Sequence, residues 1–113
     1  MDKKISEEMQ NKISKVQILE QRLQSYVMQK QAFQGQLLEV ENALGEIDGS
    51  NEIFKIVGNI MMKVEKEKIS KELKDKKELL DKKIADIDKQ EAKIKEEVLP
   101  LQEELMSSFK DEK

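Results

Sequence analysis

Carboxylates and lysines are the residues of this chain that could do chemistry, because histidine and cysteine are both absent. Adjacent carboxylates at Glu7-Glu8 and Glu96-Glu97 could in principle bind a cation. A cation site needs several oxygen ligands that converge, however, and neighbours along a helix do not converge. The chain also lacks the commonest general base and the thiolate metal ligand, and its four glycines form no phosphate-binding loop. We therefore expect no enzyme activity, no metal and no cofactor.

Lysines are concentrated in residues 63–83, a pattern that could serve nucleic-acid binding. Acidic residues interrupt the stretch at Glu65, Glu67, Glu72, Asp75, Glu78 and Asp81. Binding to phosphates requires a clear excess of positive charge, whereas the whole chain has a net charge of −3. We interpret the stretch as the solvated surface of a helix and expect no nucleic-acid partner.

The composition is typical of a coiled coil rather than of a globule around one compact core. Charged residues make up 40% of the chain, aromatic residues make up 4%, and there is no tryptophan. No apolar run approaches the length of a membrane span, and the first residues lack the apolar core of a signal peptide. We expect a soluble, cytoplasmic protein that does not bind membranes.

Hydrophobic residues repeat about every 3.5 residues along two long stretches, Ile5–Ile47 and Leu73–Leu105. A repeat sustained over so many turns predicts coiled-coil helices, which need a partner for their apolar seam. Charged residues interrupt the seams at Lys12, Lys30, Lys77 and Glu91. We expect the first helix to end at Asp48-Gly49-Ser50-Asn51, and the second to bend but continue beyond Pro100.

A short apolar segment folded on a glycine separates the two helices. Gly58-Asn59 can supply the positive φ values of a two-residue β-hairpin turn, which sets Val57 opposite Ile60 and Ile53 opposite Val64. Both faces of this hairpin would be mostly apolar and both edges unpaired, so we predict that it associates with hairpins of other subunits. The predicted oligomerisation residues are Ile53, Phe54, Ile56, Val57, Ile60, Met61, Met62 and Val64. The alternative is a connector packed against the chain's own helices.

The free ends of the helices form a second candidate site. Because the hairpin reverses the chain, the helices return antiparallel and the N-terminal residues meet the C-terminal ones. Methionine and phenylalanine on helix ends that fray beyond Pro100 would suit the binding of many different partners. The candidate residues are Ile5, Met9, Ile13, Leu101, Leu105, Met106 and Phe109. The alternative is that they are the last layers of the seam together with scattered surface residues.

The residues of the central segment resemble those of a known family. Ile53-Phe54-Lys55, Val57-Gly58-Asn59 and Lys63-Val64-Glu65-Lys66-Glu67 are similar to the beta-class subunits of prefoldin, most closely the archaeal kind. The resemblance covers essentially the whole chain, and the single hairpin distinguishes it from alpha-class subunits, which have two. Phe54 stands where the family often has tyrosine, and Pro100 near the tip is a further departure.

The resemblance implies a hexamer of two alpha-class and four beta-class subunits, whose hairpins build a central double β-barrel. It also implies an ATP-independent holdase that grips unfolded proteins at the coiled-coil tips and passes them to a group II chaperonin. On this chain the hairpin residues would be assembly contacts, and the helix-end candidates would bind clients. The alternative from another functional class is a structural scaffold that dimerises through its coiled-coil seam.

These features together predict a mainly α fold. A long antiparallel two-helix coiled coil is joined by one β-hairpin, which contributes to an oligomeric β-barrel. We expect residues 1–113 to form a single domain, with the first helix at 1–48, the hairpin at 52–64 and the second helix at 67–109.

Overall fold

A computed structural model describes the backbone of residues 6–111 and the side chains of residues 6–109. Within this range the elements follow one another as α1 (Glu7–Asp48), β1 (Ile53–Val57), β2 (Ile60–Val64) and α2 (Lys66–Asp111). Two long helices with an antiparallel hairpin between them confirm the predicted fold class. The β-barrel that several hairpins would build together remains a prediction.

The chain divides into two compact units, each with its own buried residues. The helix-end unit comprises Met1–Gln29 and Ile87–Lys113, and the hairpin unit comprises Lys30–Asp86. The core cluster of the helix-end unit contains Val16, Leu19, Ile94, Val98 and Leu105. The buried hydrophobic residues of the hairpin unit are Val40, Ile47, Ile69 and Leu80. All of these except Ile69 belong to the predicted seams, so the 3.5-residue repeat identified most of the core.

Helix α1 begins where Ser6 caps it. The backbone N–H of Met9 donates a hydrogen bond to the Ser6 Oγ at 3.1 Å, the usual arrangement at a helix N-terminus. Glu7 and Glu8 occupy the first turn, where negative charge interacts favourably with the helix dipole. The position of this carboxylate pair therefore has a structural explanation that needs no cation.

Two side chains hold the connection between α1 and the hairpin. The Ser50 Oγ donates a hydrogen bond to the Glu46 carbonyl at 2.9 Å. The Lys66 Nζ donates one to the Asp48 carbonyl at 3.2 Å. Both bonds satisfy carbonyls that a helix end leaves without an intrahelical donor. Because Lys66 is the first residue of α2, the second bond also joins the end of one helix to the start of the other.

Helix α2 continues through Pro100 to Asp111, which confirms the expectation that proline would not end it. Proline has no N–H, so the carbonyl of Glu96 loses its usual intrahelical donor. Both Glu96 and Pro100 are exposed, and water can therefore hydrogen-bond to this carbonyl. The exposed position explains how the helix accommodates a residue that commonly destabilises a helix interior by about 3 kcal/mol.

The hairpin has the predicted register, with Ile53 paired to Val64 and Val57 paired to Ile60. Its turn differs from the expectation, because Gly58 has a φ of +61° and Asn59 does not have a positive φ. A positive φ at the first central residue alone fits a type II′ turn, whereas type I′ requires it at both. The turn therefore depends on the glycine, and the expectation for Asn59 was wrong.

Candidate functional site

The hairpin presents most of its apolar side chains to solvent. Six of the predicted oligomerisation residues are between 51% and 69% exposed, namely Phe54, Ile56, Val57, Ile60, Met61 and Met62. The remaining two, Ile53 and Val64, are half-buried. The chain's own helices thus leave the greater part of the hairpin uncovered, which favours an interaction surface over a packed connector.

Both faces of the hairpin contribute to this surface. The cross-strand pair Ile56 and Met61 lies on one face, and the pair Val57 and Ile60 lies on the other, because successive side chains of a strand alternate. A two-stranded hairpin with two exposed apolar faces is marginal in water unless something covers it. Apolar side chains on both faces are therefore open to solvent in this chain.

One ion pair joins the hairpin to the start of α2, and a second joins β2 to the residue before β1. The Lys55 Nζ lies 2.9 Å from the Glu72 Oε1, and the Lys63 Nζ lies 3.7 Å from the Glu52 Oε1. All four side chains are substantially exposed, so each pair adds at most about 1 kcal/mol of stability. Of the two, the Lys55–Glu72 pair is the contact between the hairpin and α2.

The helix-end candidates divide by burial. Ile5 lies outside the described residues. Met9, Ile13 and Leu101 are half-buried and pack against the core cluster, to which Leu105 belongs. Met106 and Phe109, by contrast, are 61% and 44% exposed. The structure therefore brings four candidates together in the seam and leaves two on the surface of α2.

An exposed leucine near these residues was missed by sequence reasoning. Leu99 is 57% exposed and lies seven residues before Met106, so both occupy the same face of α2. Gln102, Leu105, Met106 and Phe109 line a shallow groove at the end of this face. Leu99 is one position off the seam repeat, and its seven-residue spacing from Met106 was the signal that could have identified it.

Polar contacts join the two helices in the helix-end unit. The Lys12 Nζ lies 2.8 Å from the Glu104 Oε2 and 3.5 Å from the Glu8 Oε1. The hydrogen bond to Glu104 raises the pKa of Lys12, and the negative charges of Glu104 and Glu8 act in the same direction. The Gln102 Nε2 donates a hydrogen bond to the Glu20 Oε1 at 3.2 Å. These contacts hold the helices together one turn from the exposed Met106.

The described residues contain no cluster of three or more acidic side chains that could hold a metal ion. Over the same residues, neither helix has a stretch long and apolar enough to cross a membrane. The surfaces of interest are therefore the apolar hairpin and the apolar end of α2.

The chain is similar in sequence to prefoldin subunits over almost its whole length. A family model described as "Prefoldin subunit" matches residues 10–112. Prefoldin subunit beta of Archaeoglobus fulgidus is 34% identical over 103 residues, which cover 88% of this chain and 89% of that protein. Prefoldin subunit beta of Saccharolobus islandicus is 32% identical over 115 residues, covering 96% of this chain and 91% of that protein.

The fold is also similar to the crystal structure of the prefoldin beta subunit from Thermococcus strain KS-1. The two match with a TM-score of 0.85 and 31% sequence identity, over 95% of this chain and 96% of that one. These similarities confirm the resemblance to archaeal beta-class subunits that the central segment indicated. The chain belongs to the prefoldin family.

Proposed function

We propose that this chain is a subunit of an ATP-independent chaperone, which binds unfolded proteins at its helix ends and delivers them to a group II chaperonin in the cytoplasm. The observation that carries the proposal is the location of the exposed apolar residues. One group lies on the hairpin, and another, which includes Met106 and Phe109, lies in the last turns of α2. Membership of the prefoldin family supports the assignment of chaperone activity to these surfaces.

The hairpin is the proposed assembly site. Full burial of a large apolar side chain contributes roughly 1.5–3 kcal/mol of favourable free energy. Burying the six exposed hairpin residues could therefore contribute on the order of 10 kcal/mol to the free energy of association. Association itself costs about 4–15 kcal/mol, and contributions from both partners are therefore needed. In the proposed hexamer, two alpha-class and four beta-class subunits join their hairpins in a β-barrel. The neighbouring hairpins would cover both faces of this chain's hairpin and pair with its open edges.

The helix ends are the proposed client site. Candidates for this role are Ile5, Met9, Ile13, Leu101, Leu105, Met106 and Phe109. A single helix end offers only a small apolar surface, so one contact with an unfolded chain would be weak and short-lived. Several helix ends in one assembly could hold the same client, because the second and later contacts form at high effective concentration. Such a hold would need no nucleotide.

The proposed function is tested by diluting a guanidine-denatured protein into buffer that contains the chain assembled with an alpha-class subunit. We expect light scattering from client aggregation to fall in the absence of ATP. Adding a group II chaperonin and ATP should then release folded client. Aggregation equal to that in buffer alone would contradict the proposal. A scaffold that dimerises through its seam would also give no protection, and it would need no alpha-class partner.

A further inference from the structure

Two adjacent methionines lie in β2, and both are largely exposed to solvent. Met61 is 65% exposed and Met62 is 51% exposed. Successive side chains of a strand point to opposite faces. Met61 therefore lies on the same face as its cross-strand partner Ile56, whereas Met62 lies on the face of Val57 and Ile60. Each apolar face of the hairpin thus carries an oxidisable sulfur.

Peroxide oxidises a methionine thioether to the sulfoxide. The sulfur attacks one peroxide oxygen, and an S–O bond forms as the O–O bond breaks. The departing hydroxide takes the proton of the new S–OH group and leaves as water. Sulfur is oxidised by two electrons, peroxide is reduced by two, and an apolar side chain becomes a polar one. Methionine sulfoxide reductases reverse the reaction, in which a dithiol becomes a disulfide and the oxygen leaves as water.

The hairpin offers few hydrogen-bond donors to a sulfoxide oxygen. Lys55 and Lys63 carry the only polar side chains of the two strands. The Lys55 Nζ lies 2.9 Å from the Glu72 Oε1, and the Lys63 Nζ lies 3.7 Å from the Glu52 Oε1. A polar group that is buried without a hydrogen bond raises the free energy of the buried state. Sulfoxides on this hairpin are therefore tolerated in water and unfavourable under a covering subunit.

We propose that Met61 and Met62 form a modification site, at which oxidation by peroxide weakens the entry of the unassembled chain into its oligomer and enzymatic reduction restores it. This inference rests on the proposed role of the hairpin in assembly. One reagent alters both apolar faces, because the two sulfurs lie on opposite sides of the hairpin. Each buried sulfoxide weakens association roughly tenfold, and the two together weaken it roughly a hundredfold.

Position, and not exposure alone, determines the effect of oxidation. Met28 and Met106 are 65% and 61% exposed, so peroxide reaches them as readily as it reaches the hairpin. They lie in α1 and α2, however, outside the surface that the proposed assembly covers. Their sulfoxides remain in water and leave association unchanged.

Assembly itself sets the time at which the site is sensitive. In the unassembled chain Met61 and Met62 are open to peroxide. Neighbouring hairpins in the proposed oligomer would cover both sulfurs. Oxidation therefore acts on chains that have not yet assembled, and completed oligomers are protected.

A competition experiment tests the site without any substitution. The chain is partly oxidised with hydrogen peroxide, catalase removes the excess, and a limiting amount of an alpha-class subunit is added. Complex and free chain are separated by size exclusion, and peptide mass spectrometry measures the sulfoxide fraction at each methionine. We expect sulfoxide at Met61 or Met62 to be roughly tenfold scarcer in the complex than in the free chain. Sulfoxide at Met28 should be equally frequent in both. Equal frequency at Met61 and Met62 as well would overturn the proposal.

Matched leucine variants test the cause of the loss and its reversal. Met61→Leu/Met62→Leu removes both sulfurs of the hairpin and nearly conserves volume. The control, Met28→Leu/Met106→Leu, removes two equally exposed sulfurs outside it. After full oxidation, we expect the hairpin variant to assemble at the concentration of the untreated chain, whereas the control should need a roughly hundredfold higher concentration. Both classes of methionine sulfoxide reductase, with dithiothreitol, should restore assembly of the control.

Other outcomes separate this site from the proposed assembly. Equal loss of assembly in both oxidised variants would overturn the site, because oxidation elsewhere would then be the cause. A loss that the reductases do not reverse would overturn the reversible modification. The competition experiment uses the unsubstituted chain, and it decides the matter even where the leucine variant fails to fold. Failure of the untreated, unsubstituted chain to join an alpha-class subunit would instead contradict the proposed role of the hairpin.

Discussion

Leu105 and Met106 are adjacent in the sequence but lie in different surroundings. Leu105 is 9% exposed and belongs to the core cluster, whereas Met106 is 61% exposed. We therefore expect Leu105→Ala to lower the free energy of unfolding by about 2–5 kcal/mol, since it removes buried methyl groups and leaves a cavity. Met106→Ala should change it by no more than about 0.5 kcal/mol. Urea denaturation of both variants, followed by circular dichroism, measures the difference. Equal effects would contradict the burial of Leu105.

Lys12 should give the fold a measurable dependence on alkaline pH. The hydrogen bond to Glu104 raises the pKa of Lys12 above its ordinary value of 10.5, so the folded state holds this proton more tightly than the unfolded state. The stabilisation of the folded state by protonated Lys12 is fully present below pH 10.5. It is lost as the pH rises through the raised pKa of Lys12. Thermal unfolding between pH 9 and pH 12 should show this loss, apart from effects of other lysines.

Two variants isolate the contribution of Lys12. Lys12→Met should make the alkaline decline in melting temperature less steep, because the group that loses its proton is gone. Lys15→Met is the matched control, since it removes an exposed lysine from the same helix. Identical pH profiles for the two variants would argue against a specific role for the Lys12–Glu104 pair.

At the scale of the secondary-structure elements, replacing glycine with alanine should have opposite effects on stability in the hairpin turn and in α1. Gly58 has a φ of +61°, which an alanine adopts only with strain. Gly35 and Gly45 lie within α1, and an added Cβ at either position would meet nothing within 4 Å. We expect Gly58→Ala to destabilise the protein by about 1–2 kcal/mol. Gly35→Ala and Gly45→Ala should each stabilise it by about 0.5–1 kcal/mol.

Thermal unfolding of the three glycine variants in the same buffer tests these directions. The helix substitutions act as controls for one another, because both add the same methyl group to the same helix. A lower melting temperature for Gly35→Ala would indicate that another chain approaches α1 there in the assembly. A melting temperature unchanged by Gly58→Ala would contradict the turn geometry.

The helices and the hairpin were predictable from the sequence because the spacing of their hydrophobic residues is regular. Heptad spacing identified both helices and most of their buried residues, and Gly58 fixed the register of the hairpin. The turn type and the exposed residues beside the seam were harder to predict from the sequence, because they depend on local geometry. Asn59 was assigned a positive φ because asparagine tolerates one, although glycine at the first central position also fits a type II′ turn, in which the second central residue does not need it. Leu99 was missed because the repeat was followed only along the seam, and Leu99 lies one position beside it.

For the whole molecule, the central question is whether the exposed hairpin drives assembly. Ile56 and Met61 are cross-strand partners, and both are at least 65% exposed. Aspartate at both positions would place two like charges side by side in the surface that the proposed assembly would bury, which is strongly unfavourable. We expect Ile56→Asp/Met61→Asp to disperse the oligomer, as measured by sedimentation velocity.

Ile18→Asp is the control for this experiment, because it also charges an exposed apolar residue but lies outside the hairpin. The control should keep the mass of the unsubstituted assembly. An intact oligomer in the double aspartate variant would contradict the role of the hairpin. Dispersal by both variants would indicate a nonspecific effect of added charge.

Native mass spectrometry of the chain, alone and mixed with an alpha-class subunit, tests the account most directly. Each copy of the chain contributes 13.2 kDa, so the number of copies in a complex can be read from its mass. We predict that the mixture forms a complex of four copies of this chain and two alpha-class subunits. A mixture that contains only free chains, or only dimers of this chain, would contradict assembly through the hairpin.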